Sequence, residues 1–250
     1  MHRIVKFILD YSGLEVDFVR ITNATADTFV ISVSALVTGT GPISATVSPM
    51  EVDLVFRGAR FGKLQLPQIM TRPGGSRVEV RNQTVRVLDL AAFRAFVRSA
   101  VDDEWLVLTL DNGPCCVSAV GVTGRCVYSK DVRIRAMGGL AARVVDVSGV
   151  STTFLVTNPS PMEIDHSVSV FDVQGGGGEV FARLRGPVAI RRGECEVTMA
   201  ISREPRRPTS KDARLVGVRT ENEAWTTDTI KFIQMPLELT ERFLLYFSPF

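Results

Sequence analysis

Residues 14–67 read LEVDFVRITNATADTFVISVSALVTGTGPISATVSPMEVDLVFRGARFGKLQLP, and most of that stretch alternates apolar with polar residues. A period of two is the signature of a strand with one buried face. Leu14, Val16 and Phe18 alternate with Glu15 and Asp17. Phe29, Ile31, Val33, Ala35 and Val37 share one face of a second run. Met50, Val52, Leu54 and Phe56 share a third, opposite Glu51, Asp53, Val55 and Arg57. The polar segment Thr22–Asn23–Ala24–Thr25 and the Thr-Gly-Thr-Gly-Pro run at 38–42 read as breaks. Gly58 to Gly62 reads as a bend before Leu64 and Leu66.

Working outward, residues 3–9 form an apolar lead-in that reads as an edge strand. Val78, Val80, Val85 and Val87 predict one strand bent at Asn82–Gln83. Asp89 then has the chemistry of a helix N-cap, since its carboxylate can accept from the free amides of the first turn. Leu90, Phe93, Val97 and Ala100 follow at helical spacing, with Arg94 and Arg98 on the outer side. Residues 105–110, 115–122 and 125–135 read as three strands with turns at Asp111–Asn112–Gly113–Pro114 and Thr123–Gly124. Further strands surround Phe154 and Val156, Val168 and Val170, Val180 to Leu184, and Cys195 to Ile201. Gly175 to Gly178 reads as a hairpin tip and 203–211 as a loop. Two more strands are expected near 213–220 and 228–235, and the tail at 237–247 is open between helix and strand. The expected fold class is all-β with one short helix at about 89–101, in two domains, 1–140 and 141–250.

The totals narrow the function classes. A chain of 250 residues that is 45% hydrophobic has ample material for a packed core. Its net charge is +2, with 16 basic against 13 acidic residues up to position 140 and 13 against 14 after it. Neither half has the basic surplus of a nucleic-acid binder. No run of about 18 apolar residues is present, so no membrane-spanning helix is expected. The start MHRIVKFILD is too short in its apolar part for a secretory signal.

The chain has four cysteines, Cys115, Cys116, Cys126 and Cys195, and two histidines, His2 and His166. No CxxC pair occurs, so neither a metal site nor a cofactor is expected. Cys116 and Cys126 would face each other across a hairpin centred near Gly121, which permits a disulfide in an oxidising compartment; buried thiols are the favoured reading. His166 beside Asp165 suggests acyl transfer, yet no nucleophile elbow accompanies the pair, and a turn histidine is the simpler reading. The Gly175–Gly178 run lacks the Lys-Ser/Thr of a phosphate loop. Arg203, Arg206, Arg207 and Lys211 are candidate contacts for anionic headgroups, although Glu204 and Asp212 dilute them. Asn23–Ala24–Thr25 and Asn82–Gln83–Thr84 match the glycosylation triplet.

Two longer patterns remain. Arg20-Ile-Thr-Asn23 matches Leu155-Val-Thr-Asn158, each at the end of an alternating strand, which suggests two copies of one β-module. The succession LDYSGLEVDFVRITNATADTF, GTGPISATVSPMEVDLVFRGARFGKLQLP and QTVRVLDLAAFRAFV resembles the fungal DUF3712 family, within the late-embryogenesis-abundant type 2 (WHy-like) group. The resemblance covers roughly residues 8–140, with the Phe61–Gly62 to Leu66–Pro67 bend and the Asp89 to Phe93 helix start as its most telling parts. It implies tandem immunoglobulin- or fibronectin III-like β-sandwiches, the first with a short helix. It also implies a fungal vacuolar or other endomembrane location, although this sequence lacks the membrane helix of many members. Related modules suggest lipid held in a groove between sheets. The helix face Leu90, Phe93 and Val97 reads first as core, and as the lip of such a groove if one exists. The resulting expectation is a non-enzymatic protein acting at a membrane surface or binding lipid. A structural or adhesive module with protein partners is the alternative.

Overall fold

The computed structural model describes residues 12–39, 44–203, 212–222 and 224–246. The expected edge strand at 3–9 and part of the 38–42 turn lie outside the described residues. The described residues fall into two compact units. The first takes those of Met1–Ile21, Asp27–Phe96 and Trp105–Ile134; the second takes those of Thr22–Ala26, Val97–Glu104 and Arg135–Phe250.

In the first unit, strands β1 (Gly13–Thr22), β2 (Thr28–Thr38) and β7 (Ser76–Arg86) lie side by side in that order. A six-stranded sheet follows the order β5 (Ala59–Leu66), β4 (Met50–Phe56), β8 (Trp105–Ala119), β3 (Ala45–Val47), β6 (Ile69–Thr71), and β9 (Val122–Arg135) pairs with β8. The alternating face read for β4 is buried, with Met50, Val52, Leu54 and Phe56 all at 4% exposure or less. The bend in β7 has a local cause. Pairing runs from Ile31↔Gln83 to Val33↔Val80, so β7 carries one residue more than β2 there. Asn82 takes up the excess at φ 47°, a region asparagine tolerates. Its amide donates to Ser32 Oγ at 3.0 Å, and Ser32 Oγ donates to Asn82 Oδ1 at 3.2 Å.

Helix α1 (Leu90–Asp102) starts where Asp89 caps it, with the Ala92 amide donating to Asp89 Oδ1 at 3.0 Å. Its first turns place Phe93 and Phe96 in an aromatic core. Phe93 stacks on Phe29 of β2, and Phe96 stacks on Phe61 of β5 and meets Phe56 of β4 edge-on at 5.8 Å. Rings at these distances and angles add to the gain from burial alone.

Three turns differ from expectation. The Asp111–Pro114 segment is not a turn: β8 runs through it without a break. Gly113 lies so close to β4 and β9 that a Cβ there would sit 2.8 Å from Val52 Cγ1 and 3.1 Å from Tyr128 Cβ. The hairpin reverses at Val120–Gly121, both with positive φ, and not at Thr123–Gly124. In β5, the expected bend at Gly58–Gly62 is a turn at Arg57–Gly58 followed by strand from Ala59.

The second unit corrects the expected pair of immunoglobulin- or fibronectin III-like sandwiches. Its strands are β10 (Ala141–Val147), β11 (Ser151–Asn158), β12 (Met162–Gly175), β13 (Val180–Ile190), β14 (Gly193–Arg203), β15 (Asp212–Thr220) and β16 (Gln234–Glu238). They pair in the order β13-β14-β11-β10-β16-β15-β12, and β12 pairs back with β13. The result is a closed seven-stranded barrel. Closure follows from β13, which pairs with β14 through Ala182–Arg185 and with β12 along most of its length. A ring removes the edge strands that two separate sheets would leave. β10 and β16 are parallel, through Ala142↔Leu237 and Arg143↔Glu238. Phe154, Phe171, Val173, Phe181 and Leu184 are at most 1% exposed. The strand expected near 228–235 is instead a helical turn, α2 (Thr226–Thr229), a 3-10 turn (Ile230–Phe232) and the start of β16. Of the expected tail at 237–247, the described part ends β16 and then forms a short helix, α3 (Glu241–Tyr246).

The matching Thr-Asn pairs do not mark equivalent positions. Asn23 is exposed at φ 50°. Asn158 is buried, its Nδ2 donating to the Met162 carbonyl at 2.8 Å and its Oδ1 accepting from the Ser160 amide at 2.9 Å.

Candidate functional site

Three segments of the second unit border an open recess of about 690 Å³. The first is the last turns of α1, carrying Arg98, Val101 and Asp102. The second is Gly138–Ala141, leading into β10. The third is the stretch from the 3-10 turn into β16, carrying Lys231, Phe232, Gln234 and Pro236.

Backbone hydrogen bonds fix these segments. The Met137 amide donates to the Ala100 carbonyl at 2.7 Å and the Gly138 amide to the Asp103 carbonyl at 2.8 Å, satisfying acceptors that a helix end leaves open. The 3-10 turn lies flush on β15. Gly217 donates its amide to the Ile233 carbonyl at 3.0 Å, and a Cβ on it would collide with the Ile230 carbonyl oxygen at 2.1 Å. Lys231 and Phe232 are thereby held at the rim.

The lining divides by chemistry. Val101 and Leu140 are buried, Phe232 is half-buried, and Pro236 is exposed. Arg98 and Lys231 are exposed at the rim. Arg98 Nε reaches Asp102 Oδ2 at 3.3 Å, and its guanidinium lies 5.7 Å from the centre of the Phe232 ring. Two cations stand against one carboxylate around an apolar floor. That arrangement suits an anionic group attached to an apolar body, and a volume of this size falls in the range of small-molecule sites.

The residues singled out from sequence lie elsewhere. Phe93 and Val97 are 0% and 1% exposed, packed where neither can line an open groove, and Leu90 is one-third exposed at the helix start. Arg203 ends β14, and Arg206, Arg207 and Lys211 lie outside the described residues. The reading missed Lys231 and Phe232 because it placed 228–235 in a strand. It named Arg98 only as an outer helix residue.

His166 is not in a turn. It lies in β12 at a bulge between Asp165 and Val168 and is 1% exposed. Burial pushes its imidazole down to about 4, against the opposing pull of Asp165 and the Ile164 backbone. Its Nδ1 has no hydrogen-bond partner. Asp165 Oδ1 accepts from the Ser167 amide at 2.8 Å, and Ser169 Oγ donates to the His166 carbonyl at 3.1 Å. The acid and the nearby hydroxyl thus bond to backbone, and the three do not form a nucleophile–base–acid relay. Among the described residues no cluster of His, Cys, Asp or Glu is placed to hold a metal ion. No helix among them is long and apolar enough to cross a membrane.

No family model matches this sequence, and neither does any curated protein. Solved structures give distant likenesses. A protein from Archaeoglobus fulgidus aligns over 50% of this chain and 94% of its own, at 10% identity and a TM-score of 0.27. A glycosyl hydrolase family 2 member from Bacteroides cellulosilyticus aligns over 53% of this chain at 10% identity and a TM-score of 0.25. Red sea bream transglutaminase aligns over 89% of this chain at 14% identity and a TM-score of 0.26. This chain spans only 16% and 31% of the last two. Likenesses this distant carry no argument about function.

Proposed function

We propose that this protein is a non-enzymatic binding module whose ligand site is the recess bordered by Arg98, Leu140, Lys231 and Phe232. Its ligand is an amphiphilic anion: a phosphate- or carboxylate-headed molecule with an apolar tail, as in an anionic lipid. The observation that carries this reading is the pairing of two rim cations with an apolar floor that includes a half-buried aromatic ring. The lipid-binding reading of the sequence is kept, and its site moves from the Phe93 face to the far end of the same helix. Each rim cation near an anionic surface contributes about 1 kcal/mol, so the head sets orientation while apolar contact adds affinity.

Assembly through strand edges is the less favoured reading. Strand β9, whose one partner among the described strands is β8, bears Arg125, Lys130, Arg133 and Arg135. Basic side chains along an edge strand oppose pairing with a second sheet.

Co-sedimentation with phosphatidylcholine vesicles, with and without phosphatidylserine, tests the proposal. Binding should require phosphatidylserine. Lys231→Glu should weaken it roughly five- to tenfold, and Phe232→Ala should weaken it further. Binding that ignores phosphatidylserine, or that both substitutions leave unchanged, would overturn the reading.

A further inference from the structure

Cys115 and Cys126 bring their Sγ atoms to 3.3 Å from each other. Their meeting follows from the turn. Val120 and Gly121 form a two-residue reversal with positive φ at both positions, which aligns β8 and β9 so that paired residue numbers sum to a constant. Ser118 and Thr123 show this register, their hydroxyls 2.8 Å apart, and Cys115 and Cys126 continue it three residues further from the turn. A hairpin centred on Gly121 itself would have put Cys116 opposite Cys126. The actual turn shifts the pairing by one residue, and one residue exchanges the faces of a strand. Cys116 therefore points away from Cys115, and its backbone amide donates to Ser48 Oγ at 3.0 Å.

We infer that Cys115 and Cys126 form a reversible dithiol–disulfide pair, oxidised by thiol–disulfide exchange with a low-molecular-weight disulfide such as oxidised glutathione. Both are free thiols in this structure. Cys126 is half-buried and Cys115 is 6% exposed, so Cys126 is the sulfur a reagent reaches first. The Cys126 thiolate attacks one sulfur of the reagent, the reagent's S–S bond breaks, and one reduced thiol leaves. Cys115 then gives up its proton and attacks Cys126 Sγ, the mixed disulfide breaks, and a second thiol leaves. Two protein thiols and one small disulfide become one protein disulfide and two small thiols.

Order and rate follow from the surroundings. Desolvation by burial, reinforced by the hydrogen bond and charge of Cys126, pushes the Cys115 thiol up to about 12. Cys115 is therefore a poor first nucleophile, and its reaction depends on Cys126 being held beside it. Antiparallel partners sit close to the Cα separation that a disulfide requires, so the bond forms with little movement of the backbone. Once formed, it staples the outer strand β9 to β8.

Incubating the whole folded chain with oxidised glutathione, alkylating the remaining thiols and digesting with trypsin tests this. Trypsin cuts after Arg125, leaving Cys115 and Cys116 on peptide 99–125 and Cys126 on peptide 126–130. The expected product is those two peptides joined by a disulfide that dithiothreitol releases. Cys116→Ser should still yield the joined pair, and Cys115→Ser should leave Cys126 glutathionylated. Circular dichroism confirms that each variant is folded. Cross-linking lost in folded Cys116→Ser, or Cys126 stopping at the glutathione adduct in the parent chain, would overturn the inference.

Discussion

Phe93 of α1 stacks on Phe29 of β2, with ring centroids 5.0 Å apart and planes 12° from parallel. Phe93 is wholly buried and also lies 5.6 Å from Phe61 and 6.3 Å from Phe96. It joins a strand of the β1–β2–β7 group, a strand of the six-stranded sheet and the helix. Phe93→Ala should therefore cost about 3–5 kcal/mol. Denaturant unfolding followed by near-ultraviolet circular dichroism would measure it. A loss under 1 kcal/mol would mean the cluster is not the core of that unit.

Gly113 is expected to resist any side chain. A Cβ there would stand 2.8 Å from Val52 Cγ1, 3.0 Å from Met50 Sδ and 3.1 Å from Tyr128 Cβ. Those are core positions with little room to yield. Gly113→Ala should destabilise the protein by about 1–3 kcal/mol. A thermal melt unchanged from the parent would show that β4 and β8 are less closely apposed.

Val120 is a β-branched residue at φ 49°, 78% exposed, at the head of the β8–β9 hairpin. Branching at Cβ makes this backbone region unfavourable, and nothing in its exposure compensates. Val120→Asn would create Asn-Gly, the pair favoured in this turn. It should stabilise the protein by about 1 kcal/mol, read as a shift of the urea midpoint to higher concentration.

His166 makes stability depend on pH. Its folded-state value of about 4 lies below the ordinary 6.5, so the unfolded chain binds this proton more readily. Stability from a neutral His166 is full above pH 6.5 and is lost as pH falls towards 4. The loss amounts to about 3 kcal/mol across that window. His166→Leu should flatten this part of the profile. Urea titrations of both proteins at pH 7 and pH 4.5 that fell in parallel would refute the assignment.

How far the sequence carried depended on the range of the interaction behind each feature. The β4 face and the α1 helix came from periodicity and a single cap, both local. Asn112–Gly113–Pro114 misled because the same residues that favour turns also let a strand kink and approach a neighbour. Asn112 does take φ 54°, but within β8, and Gly113 is there for the side chains it faces. The real turn at Val120–Gly121 carries a residue that turn preferences disfavour, so the cysteine register came out one residue off. Barrel closure was not legible either. Whether β13 pairs with one neighbour or two is decided by tertiary register, and alternation reads the same in both cases. The recess was hidden for a related reason, since Arg98, Leu140 and Lys231 come together only through the placement of three separate segments.

The parallel pairing of β10 with β16 also governs how the second unit can be made. Ala142 meets Leu237, some 95 positions later in the chain. At ribosomal rates of about 5–20 residues per second, β10 waits roughly 5–20 s for that neighbour. Through that interval β10 can pair with β11, but its other edge is unoccupied. A nascent chain stalled before residue 234 should therefore engage chaperones that recognise unpaired strands, and emergence of residues 234–238, more than any hairpin, sets when the ring can shut.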